Sequence, residues 1–121
     1  MENKKDLKNR TKDFALRIIR MHTSLPQSPE AKVIGTQILR SGTRVGVKYR
    51  EASQGRSKTD FADKVKECLR ELDVTTYWFE LLSEGKILAE NRLTGLFQES
   101  KELKAIFAAM IKNAKNGGKK K

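Results

Sequence analysis

The sequence of 121 residues contains one cysteine and one histidine, Cys68 and His22. A single cysteine cannot form a disulfide within the chain, and metal sites or Cys-His catalysis need a second such residue at a suitable spacing. Carboxylates between residues 58 and 84 alternate with lysines and arginines, which is typical of a solvated helix face. We therefore predict a protein without enzymatic activity, metal ion or cofactor.

The chain also lacks long apolar runs and has only two prolines, Pro26 and Pro29. Without a stretch of about 18 apolar residues or a signal-type segment, we expect a soluble cytoplasmic protein that does not enter membranes. Clustered alternation of β-branched residues, the mark of strands, is missing, whereas leucine, isoleucine, lysine and glutamate are abundant. The composition therefore favours an all-α domain.

Apolar residues recur at the helical period in four segments, which we place at residues 7–24, 28–54, 57–84 and 89–115. Ser28 and Ser57 are predicted N-caps, and Gly55 is predicted to end the second helix as a left-handed residue. Short links make consecutive helices antiparallel neighbours. The sequence thus predicts one domain, residues 1–115, folded as an up-down antiparallel four-helix bundle, and a flexible basic tail, residues 116–121.

The formal net charge of +11 indicates an affinity for polyanions such as nucleic acid, although it also favours solubility. Within the second predicted helix, Arg40, Arg44 and Lys48 are spaced four apart and form a cationic stripe, the helix-two stripe. It is either an ordinary solvated face or a phosphate-binding surface, for which arginine forks are well suited. Further cations that could extend such a surface are Arg50, Arg56, Lys119, Lys120 and Lys121.

Glycines interrupt the same helix at a cost of about 0.5–1 kcal/mol each relative to alanine. Gly35, Gly42 and Gly46 lie with Ser53 on one side of the helical wheel, away from the helix-two stripe. Close packing inside the bundle is the ordinary explanation, and close approach of a bulky aromatic or a polyanion is the alternative. We predict one helix with a packing seam on one side and a candidate polyanion surface on the other.

The third predicted helix carries a second apolar surface, the Trp78 patch, formed by Val74, Tyr77, Trp78 and Leu81. A helix in a monomeric bundle needs only one apolar stripe, so the patch indicates burial against another subunit or partner. The alternative is a wide stripe that contacts two helices of the same bundle. Because residues 58–85 are net acidic and their neighbours basic, we also consider docking of this helix on the basic helices of the next subunit.

Four stretches resemble a known family: RTKDFALRII (10–19), SLPQSPEAKVIGTQILRSGTRVGVKYREA (24–52), TTYWFELL (75–82) and KELKAIFAAMIK (101–112). They are similar to the four-helix-bundle proteins of the 23S rRNA intervening-sequence family, which is related to accessory proteins of diversity-generating retroelements. The resemblance covers about residues 10–115. Positions that match its helix-two and helix-three motifs are Gln37, Arg40, Ser41, Gly46, Tyr49, Glu51, Trp78 and Glu80.

The resemblance implies a homopentamer without enzymatic activity, and members of the related retroelement group are basic and associate with nucleic acid and a reverse transcriptase. Two positions depart from the family pattern: Lys48 stands where asparagine is common, and Val74 where an acidic residue is common. We therefore predict a non-enzymatic, oligomeric protein that binds RNA or DNA through the helix-two stripe and the tail lysines. The alternative is a structural adaptor for a protein partner, such as a reverse transcriptase, without direct contact to nucleic acid.

Overall fold

The computed structural model describes the backbone of residues 4–119 and the side chains of residues 6–115. Its elements are α1 (Lys4–Thr23), α2 (Pro29–Ser53), α3 (Lys58–Glu84), a short 3-10 turn (Glu90–Arg92) and α4 (Thr94–Lys119). The part of the chain so described contains no strand. This confirms the predicted all-α four-helix bundle, and none of its described helices has the length and apolar character needed to cross a membrane.

Serine side chains begin α2 and α3, as the sequence predicts. The Ser28 hydroxyl accepts a hydrogen bond from the N–H of Ala31 at 3.2 Å, ahead of which Pro29 occupies the first helical turn. At α3, the Ser57 hydroxyl accepts from the N–H of Asp60 at 3.0 Å. Each serine satisfies a backbone donor that the first helical turn cannot pair internally.

Two predicted details of the links are wrong. The fourth helix begins at Thr94 rather than Ala89, because residues 90–92 form a 3-10 turn and the link buries Leu88 and Leu93. Gly55 is not left-handed, since no glycine of the described chain has a positive φ. Close approach favours glycine there instead: a Cβ on Gly55 would lie 3.0 Å from the carbonyl oxygen of Ala52.

The core runs the length of the bundle and takes its largest buried side chains from all four helices. These side chains include Phe14, Tyr49, Phe79 and Phe107. The Tyr49 and Phe107 rings pack with their centroids 5.9 Å apart. A buried hydrogen bond joins α2 and α3, because the Thr75 hydroxyl donates to the Ser41 hydroxyl at 2.7 Å.

The glycines of α2 form the seam on which α1 packs. A Cβ added to each would crowd an α1 side chain: at Gly35 it would be 2.9 Å from Cδ2 of His22, at Gly42 3.0 Å from Cγ1 of Ile18, and at Gly46 3.2 Å from Oγ1 of Thr11. The helices therefore approach more closely than side chains on both would allow. Packing inside the bundle explains the glycines, and the helix-two stripe lies elsewhere on α2.

Candidate nucleic-acid interface

The three cations of the helix-two stripe have different surroundings. Arg44 donates from Nε to a carboxylate oxygen of Glu71 at 3.1 Å, and Nζ of Lys48 lies 3.1 Å from a carboxylate oxygen of Glu67. Arg40 is exposed and forms no ion pair with any described residue. Two of the three predicted phosphate ligands are thus bound to carboxylates of α3 in the same chain.

The pairing of Lys48 with Glu67 shifts the pKa of both groups. Its hydrogen bond to Glu67 raises the pKa of Lys48, and the same contact lowers the pKa of Glu67. Both groups therefore stay charged over a wide pH range. Glu67 and Glu71 form ion pairs with cations of the same chain. They are therefore not free to attract the basic helices of a second subunit.

One end of the bundle gathers cations from three helices, where α2 ends, α3 begins and α4 ends. We call this the basic end and define it by five cationic side chains: Arg50, Arg56, Lys58, Lys112 and Lys115. All five are exposed, and none forms an ion pair with another described side chain. The side chains of the predicted ligands Lys119, Lys120 and Lys121 lie outside the described residues, although the α4 backbone reaches Lys119.

The basic end contains an open cleft of about 540 Å³ between the end of α2, the start of α3 and the last turns of α4. This end cleft has apolar walls formed by Ala52, Phe61, Met110 and Ala114. Its polar lining residues are Ser53, Ser57, Arg56, Lys58 and Asn113. It therefore offers an apolar interior beside two exposed cations.

The first turn of α3, beside the end cleft, has backbone donors without intrahelical partners. Ser57 takes the N–H of Asp60, whereas the N–H groups of Lys58 and Thr59 belong to the first turn and have no intrahelical partner. The carboxylate of Asp60 accepts from the N–H of Arg56 at 3.2 Å. This bond occupies one carboxylate oxygen of Asp60, which does not line the cleft.

The Trp78 patch divides into exposed and half-buried residues. Val74 and Tyr77 are 40% and 54% exposed, whereas Trp78 and Leu81 are half-buried. The Tyr77 and Trp78 rings meet edge to face at 5.3 Å between centroids. The indole Nε1 of Trp78 is buried and has no hydrogen-bond partner among the described residues. The patch is thus an apolar surface on the outer side of α3.

Cys68 and the acidic side chains were also considered as a nucleophile and as metal ligands. Cys68 is fully buried, and burial raises the pKa of its thiol to about 12. A thiol with that pKa carries almost no thiolate at neutral pH. Within the described part of the chain, no three His, Cys, Asp or Glu residues are grouped as a metal site would require.

Sequence reasoning identified Arg50 and Arg56 but missed Lys58, Lys112 and Lys115. The missed lysines are on α3 and α4, and only the antiparallel packing brings them to the end where α2 finishes. The available signal was positional: cations near the start of the third helix and near the end of the second and fourth share one end of an up-down bundle.

Comparisons with known proteins agree with this architecture. The sequence profile of the family described as 23S rRNA-intervening sequence protein matches residues 3–109. A crystal structure of a protein of unknown function from the S23 ribosomal protein family of Bacteroides thetaiotaomicron is similar, with a TM-score of 0.81 and 33% sequence identity. The similarity covers 87% of this chain and 97% of that one. A search of curated proteins finds no match.

Proposed function

The chain belongs to the 23S rRNA-intervening sequence protein family, and from this premise we propose that it is a non-enzymatic, oligomeric protein that binds nucleic acid through its basic end. We place it in the cytoplasm, where a lone buried thiol such as Cys68 stays reduced. The observation that carries the proposal is the gathering of five exposed, unpaired cations from three helices at one end of the bundle.

Phosphate binding needs cations that are not already neutralised. Arg50, Arg56 and Lys58 meet this condition, whereas Arg44 and Lys48 of the helix-two stripe are held by Glu71 and Glu67. Five phosphate contacts would give log K against log salt a slope of roughly −3.5 for a single strand and −4.5 for a duplex. Binding should therefore be strong at low salt and have little sequence preference, since phosphates carry no sequence information.

The test replaces three cations at the basic end and three at the opposite end. The first variant carries Arg50→Ala, Arg56→Ala and Lys58→Ala. The control carries Arg20→Ala, Lys32→Ala and Arg92→Ala, which remove the same charge from exposed residues with no ion pair to a described side chain. Affinity for labelled RNA and duplex DNA is measured by anisotropy at about 50 mM salt.

We expect the basic-end variant to bind about tenfold or more weakly, and the control to change affinity by about threefold or less. Equal losses would mean that net charge alone drives binding, and no binding by the unmodified protein would refute the proposal. Arg40→Ala with Arg44→Ala tests the helix-two stripe separately. We expect a smaller effect from that pair, because Arg44 already pairs with Glu71.

The Trp78 patch favours a second candidate function, that of an oligomeric adaptor. Exposed Val74 and Tyr77 suit a subunit contact or a protein partner better than they suit nucleic acid. The family resemblance makes a homopentamer the specific oligomer that we propose, and the related retroelement group makes a reverse transcriptase the specific protein partner. Light scattering should then give about five times the 13.8 kDa of one chain.

A variant with Val74→Asp and Tyr77→Asp should dissociate such an oligomer, since it places charge on an apolar contact without touching the core. Ala105→Asp with Ala108→Asp, at exposed positions of α4 with the same spacing and the same change of charge, is the matched control. An unmodified protein that scatters as a monomer at micromolar concentration would remove the oligomeric part of the proposal. An adaptor that binds no nucleic acid would purify with an ordinary absorbance ratio at 260 over 280 nm.

A further inference from the structure

We infer that the end cleft binds one unpaired nucleotide of a single-stranded nucleic acid, with the base inside the cleft and its phosphate at Arg56 and Lys58. This inference rests on the proposed function, because it assigns a substrate class to the same basic end. It goes further in one respect: it requires a single strand, whereas phosphate binding alone would accept a duplex equally well.

The size and apolar walls of the end cleft fit a base. Its volume of about 540 Å³ falls within the range of about 300–1,000 Å³ found for small-molecule sites. Phe61 and Met110 line it and are half-buried, so apolar surface of both remains open to solvent. A base that enters covers this surface, and contact of bases with aromatic and apolar side chains is the usual way in which unpaired nucleotides are held.

Charge complementarity selects an anionic occupant. Arg56 and Lys58 line the cleft and are exposed, and neither forms an ion pair with another described side chain. The first-turn N–H groups of α3 favour an anion at the same place. A neutral apolar peptide would use the walls but not the cations, whereas a nucleotide uses both.

The apolar walls of the end cleft explain why the strand must be single. In a duplex the bases are stacked and paired, so a duplex presents its phosphates to a protein end and keeps its bases inside. Reaching Phe61 requires a base that has left the stack, which costs a few kcal/mol in a duplex and little in a flexible single strand. The polar groups of Ser53 and Asn113 can then bond to the edge of the base.

The experiment compares one labelled RNA of about 20 nucleotides with the same RNA annealed to its complement, by anisotropy at about 50 mM salt. Ala114→Leu fills the cleft without changing charge, because Ala114 is half-buried and lines it. Ala109→Leu is the control: it makes the same substitution on the same helix at an exposed residue outside the cleft. Free 5′-AMP is titrated in parallel.

We expect the unmodified protein to bind the single strand at least about fivefold more tightly than the duplex. Ala114→Leu should reduce single-strand affinity to the duplex level and leave duplex affinity unchanged, and Ala109→Leu should change neither. Equal binding of both probes by the unmodified protein, with steep salt dependence, would overturn the inference and leave the proposed function standing. Binding of neither probe would overturn both. Binding of 5′-AMP without a single-strand preference would assign the cleft to a free nucleotide and overturn the inference.

Discussion

Arg10 of α1 and Glu99 of α4 form a bidentate ion pair that joins the first and last helices of the bundle. Nε of Arg10 donates to one carboxylate oxygen of Glu99 at 3.0 Å, and Nη2 donates to the other at 2.8 Å. Nη2 also donates to Glu102 at 3.0 Å. The Arg10 and Glu99 side chains are only 20% and 17% exposed, so the pair is shielded from salt.

Arg10→Ala should lower the free energy of unfolding by about 1–3 kcal/mol, because it leaves the Glu99 carboxylate partly buried without its bidentate donor. Urea unfolding followed by circular dichroism measures the loss. Arg92→Ala removes an exposed arginine without an ion pair to a described residue and should cost at most about 0.5 kcal/mol. Equal costs for the two variants would contradict a specific role for the pair.

Gly42→Ala should destabilise the protein by about 1–2 kcal/mol despite the gain in helix propensity of about 1 kcal/mol. The new Cβ would lie 3.0 Å from Cγ1 and 3.1 Å from Cδ1 of Ile18, which is fully buried in the core. Gly95→Ala is the control, because its Cβ would meet only the mobile guanidinium end of Arg17, at 2.7 Å. Thermal unfolding should show a lower midpoint for the first variant and an unchanged or higher one for the second.

Lys86→Gly should stabilise the protein by about 0.5–1 kcal/mol. Lys86 has φ 59° at the end of α3, where the N–H of Ile87 bonds to the carbonyl of Leu82 at 2.9 Å in a helix-terminating turn. Glycine adopts this left-handed conformation without the strain that a side chain causes. Lys86→Ala keeps the strain and should change little in a urea titration. A gain as large with alanine would trace the effect to the lysine side chain instead.

Glu67→Gln should remove a stabilisation that depends on pH. The hydrogen bond from Lys48 lowers the pKa of Glu67 below its ordinary value of 4.5, so this stabilisation is present above about pH 4.5 and is lost as pH falls through the lowered pKa. Because the same contact raises the pKa of Lys48 above 10.5, it is also lost as pH rises through that raised value.

The urea midpoints of the unmodified protein and Glu67→Gln should therefore differ at pH 7 and converge as pH falls below the lowered pKa of Glu67. Glu84→Gln, at an exposed residue of the same helix, is the control and should leave the midpoint at pH 7 unchanged. A difference that is constant from pH 3 to pH 7 would show that the amide disturbs packing and not the ion pair.

The helices were predicted well because N-caps and apolar periodicity depend on residues close in sequence. The starts of α2 and α3 follow from Ser28, Ser57 and the apolar period, and α3 ends at Glu84 as predicted. The predicted start of α4 was wrong because the link buries Leu88 and Leu93. These residues continue the apolar pattern but lie outside the α-helix. Periodicity alone does not separate a buried link from the first turn of a helix.

The candidate interface was predicted only in part. Arg40, Arg44 and Lys48 do share one side of α2, but which of them is neutralised depends on Glu67 and Glu71, residues more than 15 positions away. A helical wheel describes one helix and contains no information on the carboxylates of its neighbour. For the same reason, the sequence alone could not assign Lys58 and Lys115 to the basic end. The packing of α3 and α4 places them there.

The sequence by itself determined that this chain is four amphipathic helices with a large positive charge, because periodicity, capping and net charge depend on neighbours in sequence. The tertiary structure decided which cations stay free and where they meet. Antiparallel packing sets the helix ends side by side and pairs α3 carboxylates with α2 cations. Ion pairing and cleft formation depend on distances between helices, and side-chain packing in the core sets those distances.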